Sequence, residues 1–83
     1  MPDRYSVAFA NLQLSIAHEE NAWTFRISSL NGHELLHCGV KDTFAAAQLE
    51  AVEFALTRLF GPGHRKNAAQ FVESLSWRLL PNA

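Results

Sequence analysis

Asn31-Gly32 sits between two apolar-rich runs, Trp23 to Ser28 before it and Leu35 to Val40 after it. A two-residue type I′ turn requires positive φ at both central positions, which Asn and Gly tolerate, and its twist matches that of paired antiparallel strands. The dipeptide therefore predicts a hairpin and sets its register. Leu30 faces His33, Ile27 faces Leu36, Phe25 faces Cys38 and Trp23 faces Val40, so three large apolar side chains on one strand meet apolar partners on the next. The opposite face receives Ser28 beside Leu35, Arg26 beside His37 and Thr24 beside Gly39. Side chains alternate across a strand, and here alternation and turn chemistry point the same way.

Upstream, Leu12, Leu14 and Ile16 alternate with Gln13, Ser15 and Ala17, and His18-Glu19-Glu20-Asn21 supplies a polar turn with two or four loop residues. Either length puts the three apolar residues on the face that carries Trp23, Phe25 and Ile27. The expectation is a three-stranded antiparallel meander. Tyr5, Val7 and Phe9 alternate too, but on odd positions. A strand continuing from them into Leu12 would need a bulge near Ala10-Asn11, and a helical turn after Asp3 is the competing reading.

After Val40 the period becomes that of a helix. Asp42 or Thr43 can accept a hydrogen bond from a free amide of the first turn, and Gly61-Pro62-Gly63 stops the pattern, which predicts a helix over 44–60. Ala45, Leu49, Val52, Leu56, Leu59 and Phe60 form a stripe suited to covering the sheet, whereas Phe44, Ala47, Ala51 and Phe54 lie off it. A last helix is expected over 64–80, with Ala68, Phe71, Val72, Leu75 and Leu79 along one side and Trp77 opposite. Residues 1–83 thus read as one small α+β domain, β-β-β-α-α, with both helices packed on one face of the sheet.

Apolar residues make up 48% of the 83 and charged residues only 18%, a composition that buries a core rather than staying disordered. Seven Lys or Arg against eight Asp or Glu leave a net charge of −1, and the sequence pI is about 6.4, below the value of about 9 above which dedicated nucleic-acid-binding domains usually lie. The single cysteine cannot close an intramolecular disulfide. No run approaches a signal peptide's apolar core, or the roughly 18 uncharged apolar residues of a membrane span. The cytoplasm is the expected location, with no membrane partner.

Four histidines invite a metal-site reading, but His33 and His37 would stand about 13 Å apart on a strand, too far for two bonds of about 2 Å to one ion. His18 and His64 fall in other turns, so neither a metal nor another cofactor is expected. Cys38 and His37 are neighbours on a strand and point to opposite faces, which keeps the imidazole from activating the thiol, and the register buries Cys38 under Phe25. Glu19 and Glu20 share a turn, Glu50 and Glu53 lie on a helix flank, and neither pair makes a general acid and base. With no phosphate-binding glycine loop, nucleophile elbow or metalloprotease motif, a non-enzymatic domain is expected.

Two surfaces are candidates for function. Phe54, Trp77 and Leu80 exceed what one sheet face and two helical stripes account for, and Trp is enriched at the anchors of protein interfaces. They form the candidate protein interface, for a partner protein or for a second copy in a homodimer, unless the C-terminal segment folds back over Trp77. Arg26, His37, His64, Arg65 and Lys66 form the candidate anion or nucleic-acid patch. His64-Arg65-Lys66 opens the last helix, whose free amides attract anions, and Arg26 and His37 share the outer sheet face. So few cations, with no aromatics placed to stack bases, make nucleic acid the weaker expectation.

The order of three strands and then a helix, with Asp42-Thr43 leading into Phe44-Ala45-Ala46-Ala47, resembles antitoxins of the HicB type. The stretch from Trp23 to Ala47, with Gly32 in the second turn, equally resembles the arm-type DNA-binding domain of phage integrases. Both likenesses fall within Leu12 to Leu59. The second implies DNA reading by basic or polar residues on the sheet, where Arg26 is the cation this sequence places.

Overall fold

The computed structural model describes residues 4–31 and 34–79. Four strands come first, β1 (Arg4–Phe9), β2 (Leu12–Glu19), β3 (Ala22–Ser29) and β4 (Leu35–Lys41). They are followed by α1 (Phe44–Phe60), a 3₁₀ segment (Pro62–Asn67), α2 (Ala68–Ser74) and the two-residue strand β5 (Arg78–Leu79). The sheet is antiparallel throughout, in the order β4-β3-β2-β1-β5. An α+β fold with an antiparallel sheet and two helices is as expected; the three-stranded meander is corrected to four strands, with a fifth added after the helices.

The extra meander strand is β1, and its phase follows from its turn. Phe9 pairs with Leu12 across Ala10-Asn11, where Ala10 has φ 56°. A two-residue loop sets odd positions opposite even ones, so Tyr5, Val7 and Phe9 face Ile16, Leu14 and Leu12 and share their side of the sheet. A hairpin thus takes the place of both the bulged strand and the helical turn. Glu20 and Asn21, at φ 48° and 69°, form the next turn, and Glu19 pairs with Ala22, which selects the shorter of the two loops.

Between β3 and β4 the register departs from the one deduced from Asn31-Gly32. Ser28 faces Leu35 as expected, but a bulge between Ile27 and Ser28 shifts the other pairs by one residue. Ile27 now faces His37, Arg26 faces Cys38, Phe25 faces Gly39 and Trp23 faces Lys41. A one-residue slip turns each side chain to the other face. The buried Cys38 and the outward His37 are therefore both corrected: Cys38 is exposed, and Val40 is 61% exposed. The physical reason is the ring of Phe25, which is 2% exposed and lies where a Cβ on residue 39 would come within 2.7 Å of its Cζ. Only glycine fits opposite it. Gly32 and His33 of the proposed turn lie outside the described residues, and at its base the Ser29 N–H donates to the Glu34 carbonyl at 2.9 Å.

Helix α1 has the predicted limits. Thr43 Oγ1 accepts from the Ala46 N–H at 3.1 Å at its start, and Gly61, at φ 94°, donates its N–H to the Thr57 carbonyl at its end. Its buried face is rotated from the expected stripe. Ala47, Ala51, Val52, Ala55 and Leu56 are buried, whereas Ala45, Leu49 and Phe60 are exposed. The sheet already presents Leu12, Leu14, Ile16, Phe25 and Ile27 on this side, and a helix approaches such bulk closely only along a line of small side chains. Ala47, Ala51 and Ala55, four residues apart, provide that line.

The last helix is also corrected. It comprises the 3₁₀ segment and the seven residues of α2, and Phe71, Val72 and Leu75 pack against the core, with Phe71 edge-on to Phe9 at 5.7 Å. The chain then extends, and β5 pairs with β1, Tyr5 facing Leu79 and Ser6 facing Arg78. This return carries Trp77 back over the protein. Its Nε1–H donates to the Val72 carbonyl at 3.3 Å, and its ring stands edge-on to Phe44, which also meets Tyr5 at 4.6 Å and Trp23 at 5.0 Å.

Candidate interaction surface

Helix α1 crosses β2, β3 and β4 on the inner face of the sheet, and no described helix covers the outer face. Pairing sets Cys38, Arg26, Ser15, Ser6 and Arg78 in one row across the sheet, and Val40, Thr24, Ala17 and Arg4 in a neighbouring row. The floor of this face is made of short side chains, with Gln13 Nε2 donating to Ser6 Oγ at 3.1 Å. Above it stand three exposed arginines, Arg4, Arg26 and Arg78. Glu19 is the one acidic side chain that the pairing places here among the described residues. A hollow of about 190 Å³ is lined by Arg4, Arg26, Ser15, Ala17, Thr24 and Glu19, among others. The rings of Tyr5, Phe9, Trp23 and Phe25 are all on the inner side, so among the described residues no aromatic stands on this face.

The border of the face at β4 is apolar. β4 is an edge strand, paired only with β3, and Leu35 and Val40 are 54% and 61% exposed on its outer side, with the exposed thiol of Cys38 between them.

The residues singled out from sequence scatter over other parts of the molecule. Phe54 is half-buried under the imidazole of His37, the two rings stacked at 4.6 Å and 7°. Trp77 is half-buried by the fold-back just described, and Leu80 lies outside the described residues. Of the basic candidates, Arg26 is on the outer face and His37 on the inner one. His64, Arg65 and Lys66 belong to the 3₁₀ segment, which packs against α1, so they do not open an α-helix. His64 is exposed with its ring 5.5 Å from Phe60, and Lys66 is exposed.

Arg4, Arg78, Leu35 and Val40 were not singled out from sequence. Arg4-x-Ser6-x-Ala8 alternates against Tyr5, Val7 and Phe9, a pattern that signals an outward Arg4 once β1 is taken as a strand. Arg78 joins the face only through β5, and Val40 only through the bulge. Comparison with known proteins finds no match to a family model, to a curated protein or to a solved structure.

Proposed function

We propose that this chain is a non-enzymatic protein-interaction module that associates with a second copy of itself along the free edge of β4. The observation that carries this reading is the edge itself. Soluble proteins blunt exposed edge strands with Pro, with charge or with a covering element. β4 has no Pro, and its one Lys or Arg is Lys41 at its end, which leans toward Glu50 of α1 at 3.9 Å. Seven residues of open edge bordered by Leu35 and Val40 suit antiparallel pairing with an identical strand, which continues the sheet and sets the apolar border of one copy beside that of the other. The non-enzymatic part rests on the sequence, which carries no catalytic motif; His37, Glu50, Glu53 and Thr57 do line one hollow beside Phe54.

Sedimentation equilibrium tests the reading. The wild-type chain is expected to associate as concentration rises. Val40→Lys is expected to sediment as a monomer with its stability unchanged to within about 0.5 kcal/mol, as for an exposed substitution. A wild-type chain that stays monomeric, or a Val40→Lys variant that still associates, would sink it. Nucleic-acid binding is the second reading, and the three arginines of the outer face favour it. It requires an affinity that falls steeply between about 50 and 200 mM salt.

A further inference from the structure

We infer that the hollow between Arg4 and Arg26 receives carboxylate side chains of an acidic, partly apolar peptide segment that a partner protein lays along the outer face of the sheet. This goes beyond self-association along the β4 edge: it takes the outer face beside that edge as a second protein-interaction surface, and it names the chemistry of what binds there. Arg4 and Arg26 are two strands and two residues apart, so their Cα atoms are separated by roughly 12 Å, and both line the hollow. Guanidinium groups present forked donors that match a carboxylate, and the Ser15 and Thr24 hydroxyls lining the hollow add two more. Neither arginine has an ion-pair partner among the described residues.

Three features favour peptide over a phosphodiester strand. Glu19 lines the same hollow and opposes a second negative group, which suits carboxylates spaced by neutral residues better than an unbroken run of phosphates. No ring on the described outer face can stack a base, the contact on which single-strand binders depend. Leu35 and Val40 border the same face, and they answer apolar side chains that a nucleic-acid backbone lacks. Charge complementarity is local: three of the chain's seven Lys and Arg stand on this face, whereas Glu50, Glu53 and Glu73 belong to the helical layer.

Fluorescence anisotropy with three labelled probes tests the inference: a short peptide alternating Glu and Leu, the same peptide with Gln for Glu, and oligothymidylate. The Glu peptide is expected to bind best. Arg4→Gln and Arg26→Gln are each expected to weaken it about two- to fivefold, the range for removing one exposed charge pair. Arg58→Gln, on α1, should leave it unchanged, and circular dichroism confirms that each variant is folded. Equal affinity for the Gln peptide, or indifference to both outer-face substitutions, would overturn the carboxylate site while self-association stands or falls by sedimentation. Tighter binding of oligothymidylate would overturn it in favour of phosphate, and failure of the Glu peptide to bind at low salt would overturn it outright.

Discussion

In a Gly39→Ala variant, one methyl group must occupy space that the Phe25 ring already fills. The new Cβ would stand 2.7 Å from Cζ and 2.9 Å from Cε1, whereas carbon atoms in contact prefer about 3.5–4.0 Å. Relief requires a shift approaching 1 Å, and the ring has little freedom to move. It is 2% exposed, and Phe25 is paired with Ile16 of β2, itself 1% exposed, in a core with Ile27. Overpacking of this kind costs about 1–3 kcal/mol, and each kcal/mol lowers the Tm of a domain this small by about 4–8 °C. The sign is informative as well. Gly→Ala at a strand position with ordinary φ and open space would instead stabilise by about 0.4–1 kcal/mol, because the unfolded chain loses freedom. Urea denaturation of Gly39→Ala, Phe25→Leu and the double variant separates the two cases. With the ring gone, alanine at position 39 should cost far less, giving a coupling of at least about 1 kcal/mol. A Gly39→Ala variant as stable as the wild type, or an equal loss in both backgrounds, would mean that Phe25 does not lie over Gly39 and that the register of β3 with β4 is misassigned.

Two further substitutions probe the turns and the fold-back. Ala10 has φ 56°, a conformation that costs a residue with a Cβ about 1–2 kcal/mol, so Ala10→Gly should raise the urea midpoint; a lower midpoint would refute the β1–β2 turn. Trp77→Phe keeps a ring against Phe44 but removes the N–H bonded to the Val72 carbonyl, and a loss of about 0.5–1.5 kcal/mol is expected from thermal unfolding. An unchanged Tm would show that the fold-back contact adds nothing.

Much of the sheet and the whole extent of α1 are legible in the sequence, because Leu12-x-Leu14-x-Ile16 and Trp23-x-Phe25-x-Ile27 carry a strict period of two, and Thr43 and Gly61 bracket a helical one. The failures have local physical causes. A turn dipeptide sets register only as far as the first bulge, and the bulge that frees Leu36 leaves no mark on the hydrophobic pattern. Gly39 inside a strand is itself a cue, since a glycine there signals a bulge or a close approach, and the cue gains meaning only once Phe25 is set opposite it. On α1, weighing side chains by size favours Leu49 and Phe60 for the core, whereas the sheet's own bulk admits alanines along the line of closest approach. Beyond Ser74 the helical period continues through Leu75 and Leu79, and what ends it is pairing with β1, a partner some seventy residues earlier in the chain. The outer-face site inherits these errors: Val40 and Arg78 reach it only through the bulge and through β5.

Which side of β4 faces water decides both the core and the interaction surface, and Cys38 reports on it directly. The measurement is the rate at which its thiol reacts with an aromatic disulfide reagent in native buffer, at a concentration low enough to keep the chain monomeric. With Cys38 and Val40 outward, the thiol should react at a rate close to that of the same chain unfolded in urea. Protection that is released only as the protein unfolds would place Cys38 beneath Phe25, turn Val40 inward with it, and contradict the proposed surface.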